Sequence, residues 1–95
     1  MLKRITYVIR YASPFSDAEL AELGERAAQN NRELGITGVL LPSGGIFFQV
    51  LEGPPEAVDA VYDAIATDER HTDLLLLGQE PNASARHYPD WSMKT

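Results

Sequence analysis

Ile36-Thr37-Gly38-Val39-Leu40-Leu41 and Ile46-Phe47-Phe48-Gln49-Val50-Leu51 are two apolar runs joined by Pro42-Ser43-Gly44-Gly45. Runs of β-branched, leucine and aromatic residues around a Pro/Ser/Gly-Gly turn specify a hairpin of two strands. Upstream, Ser16 opens a helix and Glu19, three positions on, completes a capping box. Leu20, Leu23, Ala27 and Asn31 then recur at helical spacing, which turns one stripe inward, and Gly35 stops the helix. Before that helix, Ile5 to Tyr11 is rich in β-branched and aromatic residues and reads as a strand ended by Ala12-Ser13-Pro14-Phe15.

Downstream of the hairpin, Gly53 ends the strand, and Pro54 and Pro55 suit the first turn of a second helix, where a missing N–H costs little. Val58, Val61, Tyr62 and Ile65 form its apolar face. Asp68 to His71 is a polar loop, Leu74 to Leu77 a fourth strand, Glu80 to Asp90 a long excursion, and Trp91-Ser92-Met93 a short fifth strand. The order is βαββαβ with one addition. This is an α+β, ferredoxin-like arrangement, with two helices expected on one face of a mixed sheet. Such a fold hosts many unrelated activities, so function has to come from particular residues.

The 95 residues make a single domain, 1–95, that buries roughly 60–65% of its unfolded surface. There is no cysteine, which removes disulfides, thiolate catalysis and Cys-ligated metals together. A net charge of −6 argues against a nucleic-acid partner, because phosphate backbones are bound by clustered Lys and Arg. A nucleotide cofactor remains compatible, since its phosphates need only a local cation or a helix N-terminus. No apolar stretch is long enough for a signal peptide or a membrane span, so a cytoplasmic location without membrane contact is expected. No paired His at metal spacing, no hydrolytic triad and no phosphate loop is present. An acylphosphatase-like hydrolase would need an Arg in a phosphate-cradling loop after the first strand, and Ala12 to Phe15 offers none.

Polar residues in apolar surroundings are the informative ones. Phe47, Gln49 and Leu51 share one face of their strand, while Phe48 and Val50 share the other. Periodicity leaves open whether Gln49 points out or lies between sheet and helices, where a buried amide must find partners. Tyr7 carries the same ambiguity. From the pattern alone Asn30 and Asn31 read as fraying residues at the helix end, Arg70 and His71 as solvated loop residues, and Trp91 and Met93 as edge-strand packing.

Taken together, Asn30 to Leu41, Phe47-Phe48-Gln49-Val50-Leu51-Glu52-Gly53, Asp68-Glu69-Arg70-His71 and Pro89-Asp90-Trp91-Ser92-Met93 resemble the BLUF domain, in order and with matching spacing over essentially the whole chain. BLUF domains are blue-light sensors that bind FAD without a covalent link; FMN or riboflavin are possible substitutes. The resemblance implies that Tyr7 and Gln49 are the photoactive pair, and that Asn31, Asn30, Gln49, Arg70, His71 and Asp68 contact the flavin. It places Leu23 and Ile65 on either side of the ring, and Trp91 and Met93 in the segment that relays the signal. It implies a sensor with no catalytic set of its own, serving a partner or effector domain. A flavin-free BLUF-like interaction module is the alternative.

Three positions depart from the family pattern: Ile9, Pro42, and the segment Asn82 to His87, which is longer and poorer in arginine than usual. The chain stops two residues after Met93, so a C-terminal cap or effector region is expected outside it. An uncapped sheet face would be apolar and exposed, which predicts a homo-oligomer through that face.

Overall fold

Ser16 caps the first helix as its sequence requires. Its Oγ accepts the Glu19 N–H at 3.2 Å, and Glu19 Oε1 accepts the Ser16 N–H at 3.0 Å. At the other end Gly35 takes φ 73°, a left-handed conformation that glycine adopts without steric cost. Its N–H donates to the Arg32 carbonyl and the Ile36 N–H to the Asn31 carbonyl, the double closure that ends many helices. These details come from a computed structural model that describes residues 1–11, 16–67 and 71–88, the side chains of residues 71 and 72 excepted.

The elements are β1 (Leu2–Tyr11), α1 (Asp17–Leu34), β2 (Thr37–Ser43), β3 (Ile46–Gly53), α2 (Pro55–Ala66) and β4 (His71–Ala83). The sheet order is β2-β3-β1-β4, the ferredoxin-like βαββαβ topology. The four described strands pair antiparallel throughout. The reason is that each helical crossover skips a strand: β3 lies between β1 and β2, and β1 between β3 and β4. The fifth strand expected at Trp91 to Met93 lies outside the described residues.

The hairpin closes through Gly44 and Gly45, both at positive φ, with Ser43 opposite Ile46. A two-residue turn of this kind matches the right-handed twist of its strands. At the far end a Cβ on Gly38 would lie 1.8 Å from the Val50 carbonyl oxygen, so only glycine fits where β2 crosses β3.

β4 is longer than the expected Leu74 to Leu77, and runs to Ala83. Among the described strands it is an edge strand, so Pro81 removes no ladder bond to them. Three register shifts against β1 accommodate its extra residues. Both helices pack on one face, over Ile5, Tyr7, Ile9, Ile36, Leu40, Phe47 and Leu51, with Val58 of α2 buried among them. Leu20, Leu23 and Ala27 of α1 and Val61, Tyr62 and Ile65 of α2 complete that layer. Among the described residues no helix is long and apolar enough to cross a membrane.

Candidate functional site

Between α1 and α2, above the middle of the sheet, lies a groove of about 490 Å³. Leu23 and Ala27 line it from α1, Val61 and Ile65 from α2, and Leu40, Phe47 and Gln49 from the strands below. Asn31 and Asn30 stand at the C-terminal end of α1, and Arg26 and Glu33 also border the groove. The helices are held apart here while the sheet beneath is closely packed, so the opening is built into the fold.

Gln49 faces the helices. It is 8% exposed, and Phe47 and Leu51 share its face. In the β1–β3 ladder Tyr7 is directly opposite Gln49. Tyr7 is fully buried, and its hydroxyl donates to Gln49 Oε1. The ring of Tyr62 meets Tyr7 edge-on at 5.3 Å, which fixes the phenol in place. Burial pushes the Tyr7 pKa well above its ordinary value, with Tyr11 and Tyr62 adding to the effect. The phenol therefore keeps its proton at any physiological pH, and Gln49 is the group that receives it in a hydrogen bond.

Asn31 is 3% exposed although it lies one turn from a helix end. It falls on the inward stripe of α1, one turn after Ala27, and its carbonyl accepts from Ile36 at 2.7 Å, which ties the last turn to the start of β2. Asn30 is exposed and stands at the rim.

A family model described as sensors of blue light using FAD matches residues 2–94. The chain belongs to the BLUF family. It is 37% identical to the photoactivated adenylate cyclase subunit beta of Euglena longa, over 98% of this chain but only 11% of that protein. It superposes on a bacterial light-regulated adenylyl cyclase with a TM-score of 0.94 and 41% identity, covering 99% of this chain and 27% of the other. A BLUF protein in its dark state gives a TM-score of 0.88 at 38% identity, covering 98% and 70% of the two chains. A Klebsiella pneumoniae protein solved with FMN and cyclic diGMP also gives 0.88, at 35% identity, covering 99% and 25%. The chain thus spans about a tenth of the curated relative and about a quarter of the cyclase structure.

The residues present suit a flavin. The groove volume lies within the roughly 300–1,000 Å³ typical of small-molecule sites. Apolar side chains from two helices form walls for a flat ring. Side-chain amides supply both donors and acceptors for ring nitrogens and carbonyls. Tyr7, Gln49, Asn31, Asn30, Leu23 and Ile65, singled out in the sequence, are gathered at this BLUF groove or directly beneath it. Asp68, Arg70, Trp91 and Met93 lie outside the described residues, and His71 starts β4 without a described side chain. Sequence reasoning had not marked Phe47, Leu40, Val61 or Ala64 as groove residues. The alternation from Gln49 points to Phe47, and the one-turn spacing from Ile65 to Val61, with Ala64 one turn beyond Val61.

The opposite sheet face of this BLUF domain holds charges that sequence reasoning passed over. Arg4 lies directly opposite Glu52 on β3 and Glu80 on β4. Its Nε donates to Glu52 Oε2 at 2.7 Å, Nη1 to Glu80 at 2.6 Å and Nη2 to the Ala85 carbonyl at 2.7 Å. The Glu52 side chain is 1% exposed. Its two oxygens also accept the His87 and Tyr88 N–H groups, each at 2.7 Å. Burial alone would raise the Glu52 pKa, but the bonds from the His87 N–H, Arg4 and the Tyr88 N–H outweigh it and hold the carboxyl below its ordinary value. Opposite charges at facing positions in two apolar strands were the available signal.

Proposed function

We propose that this chain is the sensor part of a blue-light photoreceptor that holds FAD in the groove between α1 and α2, with Tyr7 and Gln49 as its switching pair. The observation that carries the reading is the hydrogen bond from the buried Tyr7 hydroxyl to Gln49 Oε1 at the floor of the groove. A bound flavin would supply blue-light absorption and an excited state able to accept an electron. The protein supplies the rest. A glutamine amide is an acceptor at one end and a donor at the other, so turning it over exchanges the two without changing its shape. Tyr7 donates at present; with the amide reversed, Tyr7 becomes the acceptor and the carbonyl end of Gln49 moves away from it. Each exchanged bond contributes only about 0.5–1.5 kcal/mol net, so two arrangements of similar energy are accessible. Such an element is what a switch requires.

In this reading Asn31 and Asn30 hold the ring edge, Leu23 and Ile65 flank it, and Arg70, His71 and Asp68 contribute from the segment before β4. The Trp91 and Met93 segment passes the change to an effector region or partner, such as a nucleotide cyclase by kinship. Leu41 and Leu75 are exposed on the far face and suit self-association. A cytoplasmic location belongs to the same reading.

The test is optical. Protein loaded with FAD should be yellow, and its flavin absorption should move to the red under blue light. Tyr7→Phe and Gln49→Ala should each retain flavin and lose the shift. A normal shift in either variant would overturn the role given to that residue. A colourless protein that cannot be loaded with FAD would favour a flavin-free interaction module.

A further inference from the structure

The chain that leaves β4 turns back across the sheet face away from the groove, and there it is fastened at several points. Arg4 holds the Ala85 carbonyl, and Glu52 holds the His87 and Tyr88 N–H groups. Arg86 donates to Thr37 Oγ1 at 2.8 Å, to the Glu52 carbonyl at 3.1 Å and to the Gly35 carbonyl at 2.8 Å. Glu52 is thus joined to this strap twice, by its carboxylate and by its main chain. It lies three residues after Gln49 on β3, and its side chain projects from the opposite face of the strand.

We infer that Glu52 is a positioning residue for signal output: it fixes residues 85–88 to β3, so that a rearrangement at Gln49 reaches the chain following Tyr88. The inference rests on the photoreceptor reading above. A nearly inaccessible carboxylate with three donors is a stiff joint, because any displacement leaves a charge buried without its partners. A movement of β3 is therefore carried into the strap instead of being lost to solvent. Trp91 follows three residues after Tyr88 and is the only tryptophan in the chain, so its fluorescence reports on that segment alone.

The experiment uses the 95-residue protein loaded with FAD, with Glu52→Gln and Arg86→Ala as variants. Amide exchange at His87 and Tyr88 in the dark should be about tenfold or more faster in Glu52→Gln, since each bond to a carboxylate is stronger than a neutral one. Both variants should keep the flavin red shift, while the light-induced change in Trp91 fluorescence is largely lost. If Glu52→Gln does not fold, Arg86→Ala, which leaves the Glu52 carboxylate and its three donors in place, decides alone. Faster exchange together with an undiminished Trp91 response would make the strap merely structural and overturn the inference. A Trp91 signal that ignores light in the unsubstituted protein, while the red shift is normal, would overturn it as well. Absence of the red shift in the unsubstituted protein would instead bring down the photoreceptor reading, and this inference with it.

Discussion

Each face of the sheet carries one pair of polar side chains directly opposite each other on β1 and β3. Toward the helices the pair is Tyr7 and Gln49; away from them it is Arg4 and Glu52. All four residues are buried to nearly the same degree. They differ in charge and in partners. Tyr7 and Gln49 are neutral, and Gln49 borders a groove, so reversing their hydrogen bond costs little and leaves no charge stranded. Arg4 and Glu52 are charged, and they bind each other, Glu80 and the main chain of residues 85–88. Equal burial therefore yields two kinds of element, one suited to exchange and one suited to holding.

The comparison is put under most strain by removing one charge. Glu52→Ala leaves the Arg4 guanidinium largely buried with only Glu80 and a carbonyl. Breaking such a pair typically costs about 3–5 kcal/mol. Against the roughly 5–15 kcal/mol stability of small domains, this is a large share. Urea denaturation should show it, and a loss below about 1 kcal/mol would mean that the far face is no clamp. Arg4→Met combined with Glu52→Leu should cost less than Glu52→Ala alone, because no buried charge is left unpaired. The next lever is pH. The folded Glu52 carboxyl titrates below its unfolded value of about 4.3, so its stabilisation is complete above that value and is lost as pH falls through the folded pKa. Denaturation midpoints between pH 7 and pH 3 should fall, and Glu52→Gln should flatten that decline. On the groove side, Asn31→Ala should weaken FAD retention by about 1–2 kcal/mol. Unchanged retention after dialysis would remove Asn31 from the site.

The topology was legible because its signals were local. The capping box, the Gly44-Gly45 turn and Pro55 at the start of α2 each act within a few residues, and each stands where the sequence put it. The direction of Gln49 was not legible. Phe48 and Val50 are as apolar as Phe47 and Leu51, so alternation offered two equal faces, and the packing of the helices chose between them. The extent of β4 was hidden for a related reason. Gly78, Gln79, Glu80 and Pro81 are poor strand formers, yet pairing with the central strand β1 carries them into the sheet, and Arg4 draws Glu80 there. The charged cluster was missed because Arg4, Glu52 and Glu80 are far apart in sequence and meet only through register.

Lys3, one residue before Arg4, gives the smallest expected effect and the sharpest control. Successive residues of a strand point to opposite faces, so Lys3 turns toward the helices and its Nζ meets Asp59 of α2 at 2.6 Å. The separation is close to that of Arg4 and Glu52, at 2.7 Å. Burial differs greatly: the Asp59 side chain is 52% exposed, against 1% for Glu52. Solvent and salt screen the Lys3 pair, and ordering two flexible side chains offsets much of the attraction that remains. Asp59→Asn should therefore cost less than about 1 kcal/mol, and that cost should shrink in 0.5 M salt. The loss on Glu52→Ala should hardly respond to salt, because ions do not reach the pair. Equal losses, or an equal salt response, would show that neighbouring residues of β1 see the same environment, and the contrast between the two faces would not survive.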